Sequence, residues 1–141
     1  MKRRAQAIWQ GGLKDGHGTI STESRALSEI AYSFGARFED GAGTNPEELL
    51  GAAHSGCFSM ALALVLGESN ITADRIDTAA TVSIEPTDDG FTITSVHLSV
   101  AAAVPGLDRE SFDSAIETTK AACPVSNLFN ANVTVDAQLE S

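Results

Sequence analysis

Two thiols, Cys57 and Cys123, stand 66 positions apart in a chain of 141 residues that holds no other cysteine. Cys57 lies in an unusually apolar stretch, Cys123 ends an amphipathic one, and an arginine, two glutamates and a histidine are near in sequence. A thiol reacts as its thiolate. Apolar surroundings raise its pKa, and only a nearby cation, a helix N-terminus or a hydrogen-bond network lowers it enough to ionise near neutrality. A reactive Cys57 therefore needs a positive charge. Of the arginines Arg3, Arg4, Arg25, Arg37, Arg75 and Arg109, the candidate is Arg37, because its run FGARF, expected to be extended, leads directly into the segment bearing Cys57. Glu47 could hold that guanidinium as a bidentate pair.

The elements that must position these groups follow from local signals. Asn45 or Thr44 suits a helix N-cap, Pro46 the first helical position, and Glu47 and Glu48 the first turn, where the helix dipole favours acids. A helix is expected from Asn45 or Pro46. From Leu49 to Leu66 it is apolar or small nearly all round, the pattern of a helix without a solvated face. Leu50, Ala53, His54, Cys57, Met60, Ala61 and Leu64 form one stripe on it, which puts Cys57 against an apolar wall. A two-layer domain of this size rarely surrounds such a helix alone, so a homodimer is favoured over a central helix wrapped by its own sheet. Ten residues of helix place Glu47 about 15 Å along the axis and roughly 80° round from Cys57. Either the helix breaks near Gly51, or Glu47 serves the Cys57 of a second subunit, and the apolar helix favours the second.

Around this helix the chain reads as strands and one further helix. Ala5, Ala7 and Trp9 alternate with polar neighbours, a polar turn covers Gly11 to Gly18, and Thr19 to Thr22 returns as a hairpin. Ser24 to Phe34 is less legible. Ile76, Thr78, Ala80, Val82 and Ile84 share a strand face, residues 86–90 turn, and the return strand changes phase near Thr94 and Ser95, as at a β-bulge. Asp108 caps a helix whose inner face is Phe112, Ala115, Ile116, Thr119, Ala122 and Cys123, before Pro124 bars its continuation. Asn132 to Leu139 is a closing strand. The order β β (β) α β β α β, without repeats or linkers, gives an α+β fold in a single domain, 1–141.

A net charge of −10 argues against nucleic acid or an anionic membrane as partner. The strongly apolar run from Cys57 to Leu66 falls short of the roughly 20 residues of a membrane span. The start MKRRAQAIWQGG has basic residues but no apolar core behind them, so a cytoplasmic location is expected. Two cysteines make neither a disulfide framework nor a zinc ribbon. Two other readings compete with thiol chemistry: a metal site from His54, Cys57 and Cys123, which lacks a fourth ligand, and a non-enzymatic dimer that binds small apolar molecules. His54 is read as a core or interface histidine bonded to a backbone carbonyl rather than a base, Glu48 as a capping residue, His17 as a loop residue and His97 as a strand-surface residue.

The run RFEDGAGTNPEELLGAAHSGCFSMAL at 37–62, with CPVSN at 123–127, resembles the OsmC branch of the OsmC/Ohr family of thiol-dependent peroxidases, and the resemblance covers essentially the whole chain. It implies an OsmC-like fold, an antiparallel sheet wrapped around a long apolar central helix, in an intertwined homodimer with two active sites at the interface. It implies reduction of organic hydroperoxides, and more weakly of hydrogen peroxide, without metal or organic cofactor. Cys57 matches the peroxidatic cysteine, Cys123 the resolving cysteine, Arg37 the OsmC-type arginine and Glu47 its carboxylate partner. The other branch takes its arginine from the N-terminal hairpin, and the corresponding GGLKDGHG at 11–18 has none. A dithiol reductant, a lipoylated protein or a thioredoxin-like one, is the implied regenerating partner.

Overall fold

A computed structural model describes residues 1–140 and divides the chain into two compact units, Met1–Leu49 and the part from Leu50 onward. In the first unit, strands β1 (Ala5–Gln10), β2 (His17–Thr22) and β3 (Ile30–Tyr32) form an antiparallel sheet in that order. The expected hairpin is there, with His17 opening β2 rather than lying in the loop. Ser33 then caps a short helix, α1 (Phe34–Phe38), by accepting a hydrogen bond from Ala36 N at 3.1 Å. Arg37 is therefore helical, not extended as its aromatic flanks suggested; a serine three residues ahead of a backbone N–H was the overlooked start signal.

A tight loop joins α1 to the long helix α2 (Pro46–Glu68), and the first turn of α2 belongs to this unit. Gly43 has φ +112°, and a methyl there would meet Ala31 O at 2.5 Å, so glycine is required on both counts. A methyl on Gly41 would meet the Gly35 carbonyl carbon at 2.7 Å. Asn45 closes the loop from both sides: its Oδ1 accepts from Glu48 N at 2.7 Å as the N-cap, and its Nδ2 donates to Ala36 O at 3.1 Å. Thr44 Oγ1 donates to the Glu48 carboxylate at 2.7 Å, so the acid of the first turn holds a loop hydroxyl, while the cap itself is Asn45.

The second unit holds the apolar core. Strands β4 (Arg75–Thr87) and β5 (Gly90–Ala103) pair antiparallel, and Ser83 faces Ser95 while Ile84 faces Ile93, so Thr94 is the extra residue of the expected bulge. Strand β6 (Asn132–Glu140) pairs with β5 in parallel. The sheet is thus mixed, not antiparallel as expected. A parallel partner needs a crossover, and helix α3 (Arg109–Ala122) with the short α4 (Pro124–Leu128) supplies it. Pro124 ends α3 but also starts α4, where a missing N–H at the first helical position costs nothing.

Val96, Leu98, Val100 and Ala102 of β5 turn one face of the sheet toward Phe58, Leu62 and Leu66 of α2 and Phe112 and Ile116 of α3. The opposite face, with Asp77, Thr81, His97, Ser99 and Asp136, is exposed. On α2 the buried line is Gly51, His54, Phe58, Leu62 and Leu66. That corrects the expected stripe by about a third of a turn: Cys57 lies at its edge, while Met60 and Leu64 are 77% and 67% exposed. Hydropathy could not set the phase because nearly every position is apolar. Over 23 residues α2 is long and apolar enough to cross a membrane by length and composition, contrary to the expectation from its apolar core run.

Candidate active site

The two cysteines meet. Cys57, on α2, and Cys123, at the junction of α3 and α4, place their sulfurs 3.5 Å apart, with the Cys123 thiol donating to Cys57. Both are free thiols; Cys57 is half-buried and Cys123 fully buried. Forming a disulfide requires an approach to about 2.05 Å. Local backbone fixes Cys123 firmly: its N–H donates to Thr119 O at 2.8 Å, its carbonyl accepts from Asn127 N at 3.1 Å, and Asn127 Nδ2 donates to Ala121 O at 2.9 Å.

The sulfurs differ in electrostatic setting. Burial raises the Cys57 thiol above its ordinary pKa and the neighbouring Cys123 adds to this, against a smaller opposing influence of the Val125 N–H. Burial pushes the Cys123 thiol up as well, but the Ser126 hydroxyl and N–H, Cys57 and the Val125 N–H together outweigh it and hold Cys123 low. Cys123 is the N-cap residue of α4, and its side chain makes no cap hydrogen bond there. Within this unit, then, the donors favour charge on Cys123, and Cys57 lacks the cation that its ionisation needs.

His54, one turn before Cys57, is fully buried. Its Nε2 lies 2.6 Å from Ser126 Oγ, its ring is 5.3 Å from that of Phe129, and its Nδ1 has no partner. Desolvation lowers its pKa, so it is neutral near pH 7. The expected core histidine is present, satisfied by a hydroxyl rather than a carbonyl. Sequence reasoning gave Ser126 no part, although it follows Cys123 by three residues, the spacing that returns a side chain to the start of a helix. His54, Cys57 and Cys123 do not make the metal site weighed above: among the described residues no three His, Cys, Asp or Glu are grouped to hold an ion.

Arg37 and Glu47 meet within the first unit. Arg37 Nη2 donates to Glu47 Oε1 at 2.8 Å, and Nε donates to Oε1 at 3.1 Å and to Oε2 at 3.3 Å. The Glu47 side chain is 8% exposed and that of Arg37 38%, so the carboxylate is anchored while the guanidinium keeps an open side. Arg37 also lies over the Phe38 ring, 5.1 Å from its centroid. An apolar recess of ≈ 270 Å³ opens beside it, lined in part by Leu13 and by Trp9, Tyr32, Phe34 and Phe38, four aromatics that no sequence pattern groups. Helix α2 runs unbroken through Gly51, so the expected alternative of a break there does not occur.

The sequence model of the family described as OsmC-like protein matches residues 39–138. The chain is 52% identical over 139 residues to Peroxiredoxin OsmC of Escherichia coli strain K12, covering 99% of this chain and 97% of that one. It is similar to the crystal structure of the organic hydroperoxide resistance protein OhrB of Bacillus subtilis, with a TM-score of 0.69, 27% identity and coverage of 97% and 98%. In fold it also resembles an OsmC-like protein from Mycoplasma pneumoniae, with a TM-score of 0.78 at 18% identity over 100% and 99% of the two chains.

Proposed function

The chain belongs to the OsmC-like protein family, and from that premise we propose that it is a cysteine-based peroxidase that reduces organic hydroperoxides and, more weakly, hydrogen peroxide. The observation that carries this reading is the pair of reduced cysteines at 3.5 Å, one half-buried and one fully enclosed. A substrate can reach only Cys57. Its thiolate attacks the distal peroxide oxygen, the O–O bond breaks, an alcohol leaves after taking up a proton, and Cys57 becomes a sulfenic acid. Cys123 then attacks the Cys57 sulfur, the S–O bond breaks, hydroxide departs as water once protonated, and an intramolecular disulfide remains. A dithiol reductant, lipoylated or thioredoxin-like, returns the enzyme to its thiols.

Arg37, oriented by Glu47, is the cation we assign to this chemistry. In the proposed homodimer its open side stabilises the thiolate of the partner subunit's Cys57 and the charge that develops on the departing oxygen. The aromatic recess beside Arg37 supports a preference for organic over hydrogen peroxide, since an apolar substituent gains there what hydrogen peroxide cannot. We further propose that the chain acts as one OsmC-like domain, in the cytoplasm, within an intertwined homodimer that covers the exposed face of α2.

Equimolar cumene hydroperoxide, with free thiols counted before and after, tests the reaction. Loss of both thiols to one intramolecular disulfide is expected, and unreacted thiols would remove the assignment. Cys57→Ser is expected to abolish turnover. Cys123→Ser is expected to allow a single turnover and leave a sulfenic acid at Cys57 that dimedone captures.

A further inference from the structure

Three residues beyond the resolving thiol stands one member of a buried polar pair that the peroxidase reading does not use. His54 Nε2 and Ser126 Oγ are 2.6 Å apart in a fully enclosed setting, and Ser126 lies on the turn of α4 that begins at Cys123. Either nitrogen of the neutral imidazole could carry the proton, and the surroundings choose between them. Were it on Nδ1, a buried N–H donor would have no acceptor; with the proton on Nε2, only a lone pair on Nδ1 goes unmet. Orphaned buried donors are the rarer case. The Nε2 tautomer therefore donates to Ser126 Oγ, which leaves the serine hydrogen free to turn toward Cys123.

We propose that His54 and Ser126 are positioning residues for the resolving step: His54 Nε2–H donates to Ser126 Oγ, and the Ser126 hydroxyl donates to the Cys123 sulfur, so that Cys123 attacks the Cys57 sulfenic acid as a prepared thiolate. This rests on the peroxidase reading and adds to it a reason for the order of events. In the attack the Cys123 sulfur supplies the electron pair of the new S–S bond, the Cys57 S–O bond breaks, and the hydroxide takes a proton to leave as water. The direction of the Cys123 pKa, held low chiefly by Ser126 against burial, agrees with that placement. The titratable groups bearing on Cys123 are Cys57 and, through Ser126, His54, both from α2.

The full-length Cys57→Ser protein carries Cys123 as its only thiol, and thiolate absorbance against pH titrates it. Ser126→Ala in that background is expected to move the titration to higher pH, and Ser126→Thr, which restores a hydroxyl, to bring it back. His54→Leu is expected to act in the same direction as Ser126→Ala, and His54→Gln, which keeps a donor, less so. With both cysteines present, Ser126→Ala is expected to slow closure of the disulfide roughly tenfold, the scale of one hydrogen bond to a charged group. An unmoved Cys123 titration in a folded Ser126→Ala protein would overturn the proposal, and that variant alone decides it should His54→Leu not fold. Thiols inert to cumene hydroperoxide beside a titration that responds to Ser126 would overturn the peroxidase reading while leaving the donor chain in place.

Discussion

Cys57 and Cys123 are chemically alike and become unequal only through what surrounds each of them. Cys57 meets an apolar helix face that disfavours its thiolate, whereas Cys123 meets donors that favour one. Under the proposed scheme the missing cation is Arg37, so Arg37→Ala is expected to lower the second-order rate with cumene hydroperoxide by about a hundredfold and to shift alkylation of Cys57 to higher pH. Arg37→Lys keeps the charge but loses the fork on Glu47 and is expected to fall between. His54 adds a pH term of its own. Its native pKa is depressed below the ordinary 6.5 by desolvation, so between these values the unfolded chain binds more protons than the native one. Stability is therefore expected to be full above about pH 6.5 and to fall as pH drops below it; urea midpoints across that range, flatter in His54→Gln, check the sign.

The elements owe their positions to a few backbone requirements and to one helix face. Gly43 and Gly41 allow the α1–α2 loop to fold against itself, and that loop is what brings Arg37 to Glu47. Gly43→Ala is expected to weaken peroxidase activity by loosening that pair, with the pH titration of Cys123 in a Cys57→Ser background little changed; peroxidase kinetics beside that titration measure the split. In the second unit, Phe58 is wholly buried beside Leu62 and Leu98. Phe58→Ala is expected to cost about 3–5 kcal/mol in chemical denaturation, since the cavity cannot be refilled by a rigid helix and sheet. The parallel β5–β6 pairing belongs to the same scale: it follows from the crossover through α3, not from any property of the strands themselves.

For the whole molecule, the first unit offers Ala36 as its one buried hydrophobic residue, and every residue of β1 is exposed. Met60 and Leu64 on α2 are exposed too, and a methyl added at Gly56 or Gly67 would meet nothing within 4 Å. An isolated chain would leave this apolar, close-approach surface in water, against the tendency of soluble monomers. In the proposed homodimer it is covered. Replacing Met60 and Leu64 together by glutamate is expected to shift sedimentation from dimer to monomer and to reduce peroxidase activity with it. A wild-type chain that sediments as a monomer would remove the dimer from the proposal.

What the residues determined alone was local and periodic: a cap at Thr44 or Asn45, the strand faces of β4, β5 and β6, a bulge near Thr94 and Ser95, the inward turn of Cys123, and, through the motifs at 37–62 and 123–127, the family. The candidate pair Arg37 and Glu47 was legible because a guanidinium and a carboxylate flank a helix start. What only the tertiary structure decided needed contacts between distant segments. A helix apolar on all sides carries no phase, so packing against β5 and α3 chose Phe58 over Met60 as the inner residue. The direction of β6 depended on the path of the crossover. Ser126, 72 positions from His54, had no sequence signal pairing the two, because a hydrogen bond between two helices depends on where their backbones lie.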